Sequence, residues 1–392
     1  MTRTLLPPDL RDPPGRPPRG QRHPVRRRVL RTVAGVLAAF VLLSGVSYAR
    51  ALTYPGNASW QSRTTGWVRD HGGGFAVNAA ENWYYTRHQP ASTPPNPATL
   101  PQQGAGATIT GAATPPVLPP LPGSHPPPGE GQWVPGRTAA DGHPALYTSY
   151  FQPDPTHASV VAGVAFLRAG ATRAHLVAGT TQPGGNWPTR AQVPPADVPA
   201  VAATFNSGFK LRDVTGGFYL NGRTAQTLQD GQASLVIDNR GQLTVGQWGR
   251  DVTMSPRIAA VRQNLALIVD SGHLVDGLTV NADHRWGTAH NQLQYTWRSG
   301  IGIDNGGNTI YVAGDKLNLA MLASAMTRAG VVRGMQLDIH TGMAFFASWL
   351  PAGQTHAGPT TLLPSMPGRA DRFLAPDQRD FFYLTVGASG LG

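Results

Sequence analysis

Apolar positions in this chain follow two different rhythms. From Trp133 onward they recur in short runs, many of them alternating with polar or small residues, which is the two-residue period of strands. Such runs cover 160–167, 174–178, 201–205, 217–220, 234–238, 243–247, 265–270, 301–304, 310–313, 335–339 and 381–386. Asn221-Gly222, directly after Phe218-Tyr219-Leu220, is a hairpin-turn signal, and Asn239-Arg240-Gly241 is another. A helical period is clearest over 319–329, with Asn318 placed to cap it and Gly330 where it should end. The predicted class is therefore α+β: a mixed or antiparallel sheet domain with few helices, spanning 131–392.

The most informative stretch runs from Trp297 to Gly342. Ser299-Gly300-Ile301-Gly302-Ile303 alternates small and apolar residues and reads as a buried strand. Asn305-Gly306-Gly307 turns the chain, and 309–313 returns as its hairpin partner. After the 319–329 helix, Met335, Leu337 and Ile339 share one face of a third strand, with Asp338 on the other. This layout predicts that Arg298 and Asp338, on separate strands, meet in an apolar, glycine-rich setting.

Ahead of the domain the pattern is of another kind. Residues 1–31 are rich in Pro and Arg and predict a disordered tail. Val33 to Ala49 is a mostly apolar run near the lower length limit for crossing a bilayer, which predicts an anchor over 32–50. Arg26, Arg27, Arg28 and Arg31 precede it, so the tail is expected inside the cell and the rest outside. Ser47-Tyr48-Ala49 also resembles a signal-peptide cleavage site, and that reading exports the same body. The 51–88 segment carries a helix capped by Asn57 or Ser59, a break at Gly72-Gly73-Gly74 and the aromatic cluster Trp83-Tyr84-Tyr85, expected to be a pad docking on the main domain. Residues 89–130, dominated by Pro, Ala, Gly and Thr, predict a semi-rigid spacer suited to a stalk crossing part of a cell wall.

Charge and composition narrow the function. The net charge of +11 invites a nucleic-acid partner, but residues 1–50 hold ten Arg against Asp9 and Asp12, so +8 of it lies in the tail. The body is close to neutral and carries no nucleic-acid signature. The chain has no Cys, which excludes disulfides, thiolate metal sites and a Cys nucleophile. His273, His284, His290 and His340 lack zinc-ligand spacing, and no Gly-x-Ser-x-Gly, Walker or dinucleotide motif is present.

Four groups stand out as site candidates. Asn206, in Asn206-Ser207-Gly208-Phe209-Lys210, follows a strand beside glycines, where an amide and nearby backbone N–H groups can face an anion. Lys210, one of two lysines in the chain, suits a phosphate. Arg262 and Asn264 enter the 265–270 strand and offer a cation and an amide. Arg298, Asp304, Asp338 and His340 make up the fourth group. A sugar-1-phosphodiester breaks most easily at the anomeric C–O bond, through an oxocarbenium-like transition state. Its phosphate leaving group needs a fixed cation more than a proton, and the guanidinium fork of Arg298 is suited to that. Asp338 then serves as nucleophile or as the base for water, and Asp304 assists or orients the arginine. A buried structural Arg298–Asp338 pair is the bland alternative.

Phe205-Asn206-Ser207-Gly208-Phe209, Arg298-Ser299-Gly300-Ile301-Gly302-Ile303-Asp304, the following helix and Leu337-Asp338 occur in that order. In this the chain resembles the phosphodiester glycosidase family, whose patterns are Asn-x-Gly-Phe, Arg-Thr-x-x-Gly and Leu-Asp-Gly-Gly-Gly-Ser. The resemblance covers about 200–350, or all of 133–392, and implies a glycosyl phosphodiester or related wall glycan as substrate; no cofactor is expected. It departs after Asp338, where Ile339-His340-Thr341-Gly342 replaces the glycine run. Two rival readings follow from that departure and from the carboxylates. One is a non-catalytic wall protein binding carbohydrate or phosphate. The other is a phosphodiesterase with a divalent cation at Asp304, Asp338 and His340.

Overall fold

The computed structural model describes residues 24–54, 59–101, 114–188, 190–287, 289, 291–350 and 358–386. Residues 1–23 of the predicted 1–31 tail, the Asn57 cap, His290 and the middle of the spacer at 102–113 lie outside them, and 24–31, expected to be disordered, are helical. The chain divides into two compact units, 1–53 and 54–392.

In the first unit, helix α1 covers Pro24–Thr53. Its Arg28–Thr53 portion is long and apolar enough to cross a membrane.

The second unit begins with a helical segment. Helix α2 (Trp60–Val68) is capped by Ser59, whose hydroxyl accepts from Ser62 N–H. Helix α3 (Gly74–Arg87) follows after a kink at His71 and Gly72, where the backbone leaves helical φ/ψ and Gly72 takes φ +86°. The expected break at the glycine run is therefore present. Of the expected aromatic pad, Trp83 and Tyr84 are exposed, while Tyr85 stacks on His340 of the main domain. Polar groups complete the docking. Ser62 Oγ donates to Thr341 O, Gln294 Nε2 donates to Asn82 Oδ1 and Tyr295 N donates to Tyr85 O.

Three sheets form the body, and every strand pairing between named strands is antiparallel. The eight-stranded sheet centres on Thr296–Ile303, flanked by Thr309–Leu317 and Arg333–Ile339. One five-stranded sheet centres on Val201–Asn206, flanked by Phe346–Trp349 and Phe381–Val386. The other centres on Ile258–Gln263, between Phe218–Leu220 and Ala233–Asp238. The main core joins all three, with Ile301, Leu337, Phe205, Phe381, Phe218 and Leu235 among its members.

Helix α4 (Leu319–Arg328) covers the other face of the large sheet. Asn318 caps it, its Oδ1 accepting from Met321 N–H at 2.9 Å. The alternation in Ser299–Ile303 follows from this sandwich. Ile301 and Ile303 enter the main core, while glycines face α4 and the segment after it. A Cβ at Gly300 would lie 2.6 Å from Met326 Sδ, and one at Gly302 would lie 2.3 Å from Val331 Cγ1. The small residues are there so that a helix can approach the sheet closely.

Part of the predicted spacer belongs to this body. Leu100 and Leu118 are buried, Arg328 Nη2 donates to Pro119 O, and Tyr150 OH donates to Pro128 O. An extended Pro-rich chain can wrap a domain as readily as leave it, because its backbone needs no ladder partners.

Candidate functional site

Asp338 sits at the end of Arg333–Ile339, where three other segments converge on it. These are the 207–210 loop after Val201–Asn206, the turn before Phe381–Val386 with Arg379 and Asp380, and residues 340–343. The side chain is 8 % exposed. Its Oδ1 accepts from Ile339 N–H at 2.8 Å and its Oδ2 from Arg379 Nη2 at 2.9 Å. The same Nη2 donates to Gly208 O at 2.7 Å, and Nη1 reaches Met343 Sδ at 3.5 Å. Burial pushes the Asp338 carboxyl above the usual aspartate range, against the pull of Arg379 first and of the Ile339 N–H, His340 and Arg262 after it. Among the described residues, Arg379 Nε and Ser207 Oγ are buried polar atoms with no hydrogen-bond partner.

The amides expected to meet a ligand are internal struts. Asn206 Oδ1 accepts from Tyr311 OH at 2.8 Å and Phe345 N–H at 2.9 Å, while its Nδ2 donates to Ser207 O at 2.7 Å. Ser299 Oγ bonds the Asn206 side chain and brackets the backbone of Asp338, so Asn206 fixes Asp338 at second hand. Asn264 Oδ1 accepts from Phe209 N–H at 3.1 Å, and its Nδ2 donates to Gln336 O and Leu337 O at 2.7 and 2.8 Å. It thus ties the 207–210 loop to the strand bearing Asp338. Gly208 passes so close that a Cβ there would meet Asn264 Cγ at 2.7 Å. Arg262 is likewise committed, in a fully buried pair with Asp380 at 2.7 Å and in a bond to Phe209 O.

Arg298 does not meet Asp338. It is fully buried, and it donates to Leu317 O at 3.0 Å, Gln336 Oε1 at 2.9 Å, Gln292 Oε1 at 3.3 Å and Gln294 Oε1 at 3.1 Å. All four are neutral acceptors, and burial pulls its pKa down to about 9. A register shift in the pairing with Arg333–Ile339 falls between Arg298 and Gly300, and the two side chains share no partner. Replacing Arg298 with Met leaves these acceptors unmatched in the interior. The expected result is a loss of about 2–4 kcal/mol of stability, read by urea denaturation, with turnover per folded molecule little changed.

Asp304 is also apart from the site. It closes the hairpin turn, its Oδ1 accepting from Gly306 and Asn308 N–H. Ser299 on that strand brackets the Asp338 backbone, and Asp304 lies five residues further on, about 17 Å at the rise of a strand. A divalent cation shared by Asp304, Asp338 and His340 has no common centre here. Among the described residues, no group of three His, Cys, Asp or Glu could hold a metal.

Lys210 and His340 stand at the rim, where the helical segment covers them. Lys210 Nζ lies 3.2 Å from Asp70 Oδ1, and Arg212 reaches the same oxygen. Burial pulls the Lys210 pKa down, as do the cations Arg379 and Arg69 nearby. His340 Nε2 lies 3.2 Å from Glu81 Oε2, with Tyr85 stacked on its ring. Burial opposes ionisation of Glu81, but His340 and Arg69 hold its carboxyl below the usual range. His340 takes φ +75°. That is a left-handed backbone conformation, which glycine adopts without steric cost.

Arg379 is the residue that sequence reasoning missed. Its signal was present as Arg379-Asp380, a charged pair directly before the apolar Phe381–Val386 strand, hence at a strand mouth.

Residues 199–338 match the family model for phosphodiester glycosidases, as the sequence resemblance implied. Over this stretch the chain is similar to the phosphodiester glycosidases, and the match supports a hydrolase of the glycosidase or phosphodiester class. The search of curated proteins found no match. Among solved structures, the fold is similar to the zebrafish N-acetylglucosamine-1-phosphodiester alpha-N-acetylglucosaminidase catalytic domain, auto-inhibited by its pro-peptide. The identity is 14 %, the TM-score 0.42, and the match covers 69 % of this chain and 98 % of that one. It is also similar to a hypothetical protein from Synechocystis, with 11 % identity, a TM-score of 0.38 and 62 % of each chain covered. An exported protein from Burkholderia pseudomallei gives 12 % identity and a TM-score of 0.33, over 60 % of this chain and 75 % of that one.

Proposed function

We propose that this domain hydrolyses a glycosyl phosphodiester at its anomeric C–O bond, outside the cytoplasm. The observation that carries the reading is the Asp338–Arg379 pair, buried at converging strand ends beside polar atoms that lack partners. Asp338 acts as the base. A water attacks the anomeric carbon, its proton passes to the carboxylate, and the C–O bond breaks with its electron pair going to the phosphate oxygen. The leaving phosphate monoester is a weak base and requires no acid. Arg379 faces the charge that grows on it, in the position first assigned to Arg298, with Lys210 beside it. A carboxylate whose pKa is held above the ordinary aspartate value is the better proton acceptor. Export rests on α1 and on the arginines at its start.

The reading is tested by incubating the full chain with a sugar-1-phosphodiester in water enriched in oxygen-18. Label in the sugar is expected. Label in the phosphate would mean that the P–O bond breaks, and this mechanism would then be abandoned.

A further inference from the structure

We propose that the outer face of helix α3 lies on the lipid bilayer, giving the chain a membrane contact beyond α1. The proposal shares with the reading above the crossing of the membrane by α1. It owes nothing to the chemistry at Asp338.

Helix α3 is inverted with respect to an ordinary surface helix, which buries its apolar stripe and shows water its polar one. Its polar side is the one engaged within the fold. Asn78 Oδ1 and Glu81 Oε2 accept from Arg69 Nη2, Glu81 Oε2 also lies 3.2 Å from His340 Nε2, and Asn82 Oδ1 accepts from Gln294 Nε2. The outward positions are Phe75, Ala76, Ala79, Ala80, Trp83 and Tyr84, all exposed and all uncharged. Their spacing puts them on one side of the helix. Phe75 is 80 % exposed, Trp83 58 % and Tyr84 49 %. Three aromatic rings over a floor of alanines make a contiguous apolar strip, and such a strip on a folded surface marks a contact with lipid or protein.

Connectivity chooses between these two. Residues 54–59 alone separate Thr53, the last of α1, from Trp60, the first of α2. Fully extended, that link reaches about 25 Å. A crossing at α1 therefore keeps the start of α2 within that distance of the bilayer, and Trp60 is itself 65 % exposed. A second copy would lose translational freedom on docking, whereas α1 has already brought the bilayer within reach. The residue types agree. Trp and Tyr concentrate at the level of lipid headgroups, where an apolar ring and a polar edge are both satisfied. The first basic side chains on this side are Arg87 and His88, at the C-terminal end of α3. The Arg87 guanidinium lies 5.2 Å from the Trp83 ring centroid, and the His88 ring stacks on Tyr84. An arginine so placed can rest its stem on the apolar layer and offer its head to lipid phosphates.

The chain has no Cys, so single cysteines can carry a spin label without background. Labels are placed through Ala79→Cys on α3, Leu42→Cys on α1 and Arg240→Cys in an exposed turn of the body. The full chain is reconstituted in vesicles of equal parts phosphatidylcholine and phosphatidylglycerol. Paramagnetic resonance compares collisions with oxygen, which concentrates in lipid, and with a nickel chelate, which stays in water. The Ala79 label is expected to favour oxygen, at a depth of about 5–10 Å, and the Arg240 label to favour nickel. Phe75→Glu combined with Trp83→Glu should return the Ala79 label to water while the Leu42 label stays in lipid. An Ala79 label in water with Leu42 in lipid would overturn the proposal and leave the anchor standing. The reverse pattern would uphold the α3 face and remove the anchor, and both labels in water would overturn both. Protection of Ala79 from nickel and oxygen alike, with broadening from a neighbouring label, would overturn the lipid contact and assign the face to a second copy. An Ala79 label that stays in lipid despite both glutamates, or an Arg240 label as rich in oxygen contacts as Ala79, would also overturn it, because the contact would not belong to this face.

Discussion

Asp338→Asn is expected to lower turnover of a sugar-1-phosphodiester by about 10²–10⁴-fold, the range for loss of a general base, while the protein stays folded. The substitution is nearly isosteric. The amide oxygen can still accept from one of the two donors, Ile339 N–H or Arg379, which bond different carboxylate oxygens at 2.8 and 2.9 Å, and the amide NH2 then faces the other. What disappears is the negative charge. Because burial raises this carboxyl above the usual range, the native state holds its proton more tightly than the unfolded chain does. In the window between the two pKa values, the native state therefore binds more protons. Stability then falls as pH rises through that window. The variant lacks this titration, so its melting temperature relative to wild type should be more favourable at neutral pH than in strong acid. The wild-type kcat/KM profile should show an acid limb above the ordinary aspartate range, because the base works only when ionised. Turnover unchanged in the variant would remove Asp338 from the mechanism.

Much of the scaffold could be read from alternation alone. The expected strands at 243–247 and 381–386 coincide with Leu243–Gln247 and Phe381–Val386, and the Asn318 cap is where the pattern put it. Runs such as Ile258–Gln263 and Phe346–Trp349 escaped notice, because burial on both faces, complete in Phe346–Trp349 and from Ala260 on in the other, erases the alternation. The site was legible only in part. Asp338 stands at a strand mouth, but its cation comes from 41 residues further on, across sheets that only the folded topology brings together. Arg298 looked like that cation because it shares a strand pair with Asp338. A register shift and the neutral pocket of Gln292, Gln294 and Gln336 depend on tertiary packing, which no local pattern encodes. The same holds for Asn206 and Asn264. An amide beside glycines presents one appearance in sequence, whether it meets a ligand or braces a loop.

Arg379→Ala separates these two arginines. It is expected to cost about 10²–10³-fold in kcat, the scale for removing one donor from a developing oxyanion. It should also displace the acid limb. Arg379 is the leading influence that lowers the Asp338 pKa against the effect of burial. Without it the carboxyl titrates at still higher pH, and the limb moves up. Arg379→Lys keeps the charge but not the fork that joins Asp338 Oδ2 to Gly208 O. It should return the limb most of the way while recovering only part of the rate. Arg298→Met is expected to do the opposite, moving the denaturation midpoint and leaving the limb in place, since Arg298 donates only to neutral acceptors. A purely structural Arg379 would behave as Arg298 does, with stability lost and the pH profile unmoved. If the limb stays fixed in Arg379→Ala, the group that titrates in catalysis is not Asp338, and the buried pair at these strand ends braces the fold instead of carrying the reaction.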